Sequence, residues 1–308
     1  MTRFLNLKRR SWLILLVAIA GCLEPYNPPA IKDAVDILVV DGFVNSTDNI
    51  ATVRLTKATA LTDESKTGHE VKGALVQIEE EDGPTHTLSE VSSGLYMLTD
   101  MNLDHAKKYR LSIVNTNDKK YFSDFITLTP CPPIDSVTWK PNKRSAGIDV
   151  NVNAHDDTGK AKYFQWTFEE SWEYTAKYGA NNMLKDGVVV VPEVNVNRCW
   201  ISKPSSEIHI ASTDHLSTNT IRDFTLMFIP VRSQKITVKY SIKVQQRALT
   251  LEAYEFWTQL KKSTESLGGL FDPLPSQVLG NLHSADNSSE PVLGYFSGGQ
   301  VDSKKIFI

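Results

Sequence analysis

Cysteine is scarce in this chain. Three occur in 308 residues, Cys22, Cys131 and Cys199, too few for a disulfide-dense scaffold. Excess positive charge is missing too. Once Arg3, Lys8, Arg9 and Arg10 are set aside with the leader described below, 29 of the 33 basic residues face 36 acidic ones, a net charge of −7. That excludes the basic face that nucleic-acid binding requires. Long apolar runs are rarer still. The one unbroken run, Trp12 to Ala20, is shorter than the roughly 20 residues that span a bilayer. No later stretch supplies a second span.

Catalytic signatures are equally thin. His69-Glu70 lacks the second histidine one helical turn on that a zinc protease needs, and it sits in the polar stretch Thr62 to Glu70. His155-Asp156-Asp157 offers one nitrogen and two oxygens, but neighbours in sequence rarely converge on a cation without a distant third ligand, so it reads as a solvated turn. His209 and His215 flank Ser212-Thr213-Asp214, yet no Gly-x-Ser-x-Gly elbow accompanies them. Asn287-Ser288-Ser289 reads as a turn. The expectation is a non-enzyme with no catalytic residue, no metal and no cofactor.

What is present begins at the first residue. A basic start leads into the apolar run and then into Ile19-Ala20-Gly21-Cys22. The run has the length of a signal-peptide core, and small residues let a backbone enter a protease groove ahead of a nucleophilic thiol. The sequence resembles the lipobox of bacterial lipoproteins, which implies lipidation at Cys22 and cleavage before it, so residues 1–21 are expected to be a signal peptide. Two or three acyl chains hold a protein firmly where one does not. Residues 22–35, with Pro25, Pro28 and Pro29, read as a stiff tether.

From residue 36 to 130 the hydrophobic period is two. Ala51, Val53 and Leu55 alternate with Thr52, Arg54 and Thr56, and Tyr109, Leu111 and Ile113 repeat the pattern. About seven short strands separated by turn residues predict a small β-sandwich. Cys131-Pro132-Pro133 marks a boundary. Residues 131–308 are expected to be a second β-rich domain. Its clearest strand runs through Ile236, Val238, Tyr240, Ile242 and Val244. One amphipathic helix is expected near 249–264, from Leu249, Ala253, Phe256, Trp257 and Leu260, stopped by Gly268-Gly269. The fold class predicted is mainly β.

In an oxidising compartment Cys131 and Cys199 are a candidate disulfide closing a loop of roughly 70 residues, worth about 4 kcal/mol by loop entropy. The alternative is two buried thiols. Trp172, Tyr174 and Tyr178 lie where the strand alternation fails, among Glu169, Glu170, Glu173 and Lys177. They are a candidate ligand or partner surface, or else a loop folded back on its sheet.

Four stretches carry a resemblance over essentially the whole mature chain. They are Leu38 to Val44 with Val53-Arg54-Leu55; Gly73 to Ile78 with Gly94-Leu95-Tyr96; Pro132 to Val137; and Gly268 to Pro273 followed by Gly280-Asn281, Val292 to Phe296 and Ile306-Phe307-Ile308. They resemble DUF4249, a lipoprotein family typical of Bacteroidota. The resemblance implies a lipid-anchored outer-membrane protein whose gene neighbours a TonB-dependent receptor, and a prealbumin-like or immunoglobulin-like first domain. It supplies no catalytic residues. Only Glu24 provides acidity after Cys22, which leaves both faces of the outer membrane open. The expected role is accessory capture of an unidentified ligand for such a receptor. A free-standing adhesion module and, less favoured, a surface hydrolase are the alternatives.

Overall fold

The computed structural model describes residues 37–58, 69–193, 197–265 and 278–308. The leader, Cys22, the tether, most of the Thr62 to Glu70 stretch and the Gly268 to Pro273 stretch lie outside the described residues.

The first strands are β1 (Leu38–Asn45), β2 (Ile50–Lys57), β3 (Leu75–Glu80), β4 (Thr85–Ser92), β5 (Leu95–Leu98), β6 (Lys108–Val114), β7 (Lys120–Ser123) and β8 (Ile126–Thr127). After Cys131 come β9 (Ile134–Asn142), β10 (Gly147–His155), β11 (Tyr163–Thr175), β12 (Met183–Lys185), β13 (Val188–Val190), β14 (Arg198–Pro204), β15 (His209–Ser212), β16 (Thr220–Pro230) and β17 (Lys239–Leu249). Helix α1 (Leu251–Glu265), β18 (Leu282–Ser284), β19 (Leu293–Gly299) and β20 (Val301–Phe307) complete the described chain. The fold is mainly β with one helix, as the period-two patterning predicts. Among the described residues no helix is long and apolar enough to cross a membrane.

The first sheet has ten strands in the order β18-β7-β6-β3-β4-β5-β2-β1-β19, with β8 beside β6. It rolls almost closed. Alternation explains its core: Val40 and Val44 of β1 and Ala51, Val53 and Leu55 of β2 point inward and are fully buried, with Tyr109, Leu111 and Phe296. Closure falls to Asn281. Its side chain donates to the Phe296 carbonyl at 2.8 Å and accepts from the Phe296 N–H at 2.9 Å. Gly294 lets β19 lie against β1. Its φ of +105° suits glycine, and a Cβ there would overlap the Val40 carbonyl.

The sheets do not follow the chain boundary at Cys131. β18 pairs with β7, and β19 runs parallel to β1, with Val39 opposite Leu293. The sequence places both strands in the second domain, because a period-two pattern reveals a strand and not its neighbour.

The second body packs the sheet β16-β10-β9 against the sheet β14-β11-β17-β20, with β15 also on β11. β11 and β17 lie side by side, Phe164 opposite Ala248, Phe168 opposite Val244 and Trp172 opposite Tyr240. Their inward residues, with Val150, Val152, Leu226 and Ile229, form its core. Trp166 is fully buried, stacks on Phe224 at 4.7 Å and donates Nε1–H to Gln246 Oε1 at 2.8 Å. Gln246 in turn donates to the Pro132 carbonyl at 2.8 Å, so the proline boundary is pinned to this core. Ile236 sits in a 3-10 turn, Gln234–Ile236, and the strand predicted from it starts at Lys239. The helix is capped by Thr250, whose hydroxyl accepts from Ala253 N–H at 3.2 Å. It buries Ala253 and Phe256, the latter against Tyr295 at 4.9 Å.

Candidate interaction surface

The aromatic segment singled out from the sequence divides in two. Strand β11 runs on to Thr175, so Trp172 and Tyr174 belong to a regular strand and not to an irregular surface segment. The alternation looked broken because Glu170 occupies an inward position. That carboxylate is buried, held by Lys235 Nζ at 2.6 and 2.7 Å and by the Tyr240 hydroxyl at 3.2 Å. Trp172 is buried in the core with Lys235 over its ring. Tyr178, by contrast, is exposed.

Tyr178 opens the excursion between β11 and β14. Asn197 closes its base: the Asn197 carbonyl accepts from Ala176 N–H at 2.8 Å and its side chain from Ala180 N–H at 2.7 Å. Within the excursion β12 and β13 form a hairpin, Lys185 opposite Val188. The two residues between them are Asp186 and Gly187, both at positive φ. That is the left-handed pair a two-residue hairpin turn demands, and Asp-Gly supplies it cheaply. The signal was available in the sequence as Asp186-Gly187 between Met183-Leu184-Lys185 and Val188-Val189-Val190.

The hairpin is unusual in what it exposes. Leu184, Val188, Val189 and Val191 are 61% to 75% exposed, with Tyr178 and Trp200 nearby in the chain also open. An isolated two-stranded hairpin is marginal in water, and exposed apolar side chains sharing a face, as Leu184 and its cross-strand partner Val189 do, mark an interaction site. β14, which carries Trp200, ends its sheet, and no described strand pairs with its outer edge. Arg198 on β14 holds Glu173 of β11 in an ion pair, and that bond keeps the Glu173 carboxyl below its usual range.

The remaining sequence candidates do not assemble a reaction centre. His155 Nδ1 lies 2.7 Å from Asp135 Oδ1, which raises the imidazole's pKa. Asp156 turns away from it and is buried, its oxygens accepting the backbone N–H groups of Thr158 and Ala161. His209 is buried against Phe168 while His215 is not among the buried residues. Ser212 Oγ accepts from Asp214 N–H, and Asp214 pairs with Lys162, so that segment is a capped turn. Among the described residues no three histidine, cysteine or acidic side chains gather to hold a metal.

No disulfide joins the two cysteines. Cys131 Sγ contacts the Gln246 carbonyl, and Gln246 lies opposite Trp166. Cys199 lies opposite Tyr174. Those two β11 positions are eight residues apart, about 26 Å of strand, far beyond bridging range. Burial pushes the Cys131 thiol up to about 11.

Comparison with known proteins places this architecture in a family. The model described as "Domain of unknown function (DUF4249)" matches residues 23–305. No curated protein matches. Among solved structures the chain is similar to the adhesin InvE of Yersinia pseudotuberculosis, at 16% identity and a TM-score of 0.17, over 68% of this chain and 54% of that one. The chain thus spans about half the length of that protein, and a score so low carries no argument.

Proposed function

This chain belongs to the DUF4249 family, a membership that assigns no activity, and from that premise we propose that it is a lipid-anchored accessory protein of the outer membrane. It binds a TonB-dependent receptor through the β12–β13 hairpin and catalyses nothing itself. The observation that carries the reading is the apolar hairpin, Leu184, Val188, Val189 and Val191 standing open on both strands. A protein-binding partner covers such a surface, and the free edge of β14, in the same stretch of chain, offers backbone groups for an added strand. The sequence Ile19-Ala20-Gly21-Cys22 supports the anchor.

The test is a pull-down of the full chain in native detergent. A β-barrel receptor should co-purify, and Leu184→Asp with Val189→Asp should release it while leaving the melting temperature in place. Recovery of the lipoprotein alone, at matched expression, overturns the proposal. Cys22→Ser should shift the protein out of the membrane fraction.

A further inference from the structure

Arg247 lies on the outward face of β17, opposite Gln165 of β11 and Val301 of β20. It faces the first sheet. Its guanidinium carbon sits 4.5 Å from the centroid of the Phe43 ring on β1. Among the described residues its side chain makes no ion pair and no hydrogen bond, although the residue is half-buried. Asp41 is the charge that acts on it most, while burial pulls its pKa down.

An arginine so placed is costly. The guanidinium stays charged in proteins, and five N–H donors taken partly out of water need acceptors. Stacking on Phe43 satisfies the face of the group and leaves its edge, where the donors point, open. That edge borders a cleft of about 380 Å³ between the two bodies' sheets, lined also by Asn45, Thr52, Arg54, Thr167 and Gln245. Small-ligand sites begin at roughly this size. Arg54 likewise has no ionic partner among the described residues.

We infer that this cleft is a binding site for a carboxylate-bearing small ligand, with Arg247 gripping the carboxylate edge-on and Thr52 and Gln245 taking its hydroxyl or amide groups. Two arginines against the one carboxylate of Asp41 leave a single net positive charge, which matches a monoanion. A phosphate dianion would crowd its second charge against Asp41. The planar fork of Arg247 fits two oxygens of a carboxylate at once. The site goes beyond the receptor-docking role and does not rest on it, since the hairpin residues do not line the cleft.

Isothermal titration of the full chain in detergent tests this with three probes: galacturonate for an acidic sugar, N-acetyl-diglycine for a peptide carboxyl terminus, and inorganic phosphate. At least one carboxylate should bind and raise the melting temperature in proportion to its concentration. Arg247→Met should weaken that binding at least tenfold and leave the unliganded melting temperature unchanged or higher. Arg247→Lys, which keeps charge and loses the fork, should fall between. Which carboxylate binds identifies the source. Silence from both carboxylates, or tighter binding of phosphate than of either, overturns the assignment. So does an Arg247→Met protein that melts lower and binds as before, because the arginine would then serve packing alone.

Discussion

Lys235 reaches across the mouth of the second body and holds both oxygens of the buried Glu170 carboxylate, at 2.6 and 2.7 Å. The pair is set into an apolar wall of Phe168, Met227 and Trp172. It is the reason the β11 alternation is hard to follow in the sequence.

Breaking the pair from one side should be expensive. Lys235→Met leaves the buried Glu170 carboxyl supported by Tyr240 alone, at a cost of about 3 kcal/mol. The double change Glu170→Met with Lys235→Met should recover most of that loss, since a matched apolar pair of similar volume is often as stable. Urea unfolding of the two variants, with the slope held constant, measures the difference.

Asn281 should matter as much as a large core residue. Asn281→Ala deletes both bonds to Phe296 and strands a buried N–H and a buried carbonyl at the sheet closure. The expected loss is about 2–4 kcal/mol. Asn281→Asp keeps the acceptor and loses the donor, so it should sit between wild type and Ala in a thermal melt.

Acid should weaken the fold through His209. Burial lowers its imidazole pKa from the usual 6.5, with Glu207, Lys261 and Glu265 as smaller influences. A base with a depressed folded value contributes its full stability above 6.5. It loses that contribution as pH falls below 6.5, where the unfolded chain takes up a proton that the folded chain refuses. His155, exposed and raised by Asp135, acts in the opposite sense. The comparison that isolates His209 is therefore wild type against His209→Leu, whose stability should vary less between pH 6.5 and 5.

Thiol labelling separates the two cysteines. Cys131 is shielded and its pKa stands at about 11, so iodoacetamide at pH 8 should leave it untouched in the folded protein. Both should label in denaturant without reductant, adding two carbamidomethyl groups by intact mass. A protein that acquires no label in denaturant without reductant would point to a Cys131–Cys199 bridge and contradict the separation along β11.

The outcome for the sequence reading follows from what period and composition encode. Strands β1 to β3, β5 to β7, β10 and the helix near 249–264 were legible because their apolar residues recur at the period of the element; β4 was legible from the turns that flank it, and β16 buries Leu226 but leaves Phe228 exposed. Trp166 was legible as core by that same recurrence. Trp172 was not, because its strand carries Glu170 on the inward side, and a charge in that register mimics a surface segment. The partners of β18 and β19 were hidden because pairing over such distances leaves no local mark. The family-like stretch Gly280-Asn281 with Val292 to Phe296 was visible as a motif, and the structure supplies its meaning: it is the seam of the rolled sheet. The hairpin was missed although Asp186-Gly187 announced it, since its flanking triplets do not alternate. Arg247 gave no signal at all, as a lone arginine in an alternating strand reads as a wet face.

The parallel ladder between β1 and β19 has a consequence for biosynthesis. Whatever machine makes or threads this chain releases Val40 and Val44 long before the strand that completes their side of the ladder exists. Until then one margin of β1 stays sticky and unclaimed, inviting strangers. A product that lacks β19 therefore leaves β1 unpaired on that side as well.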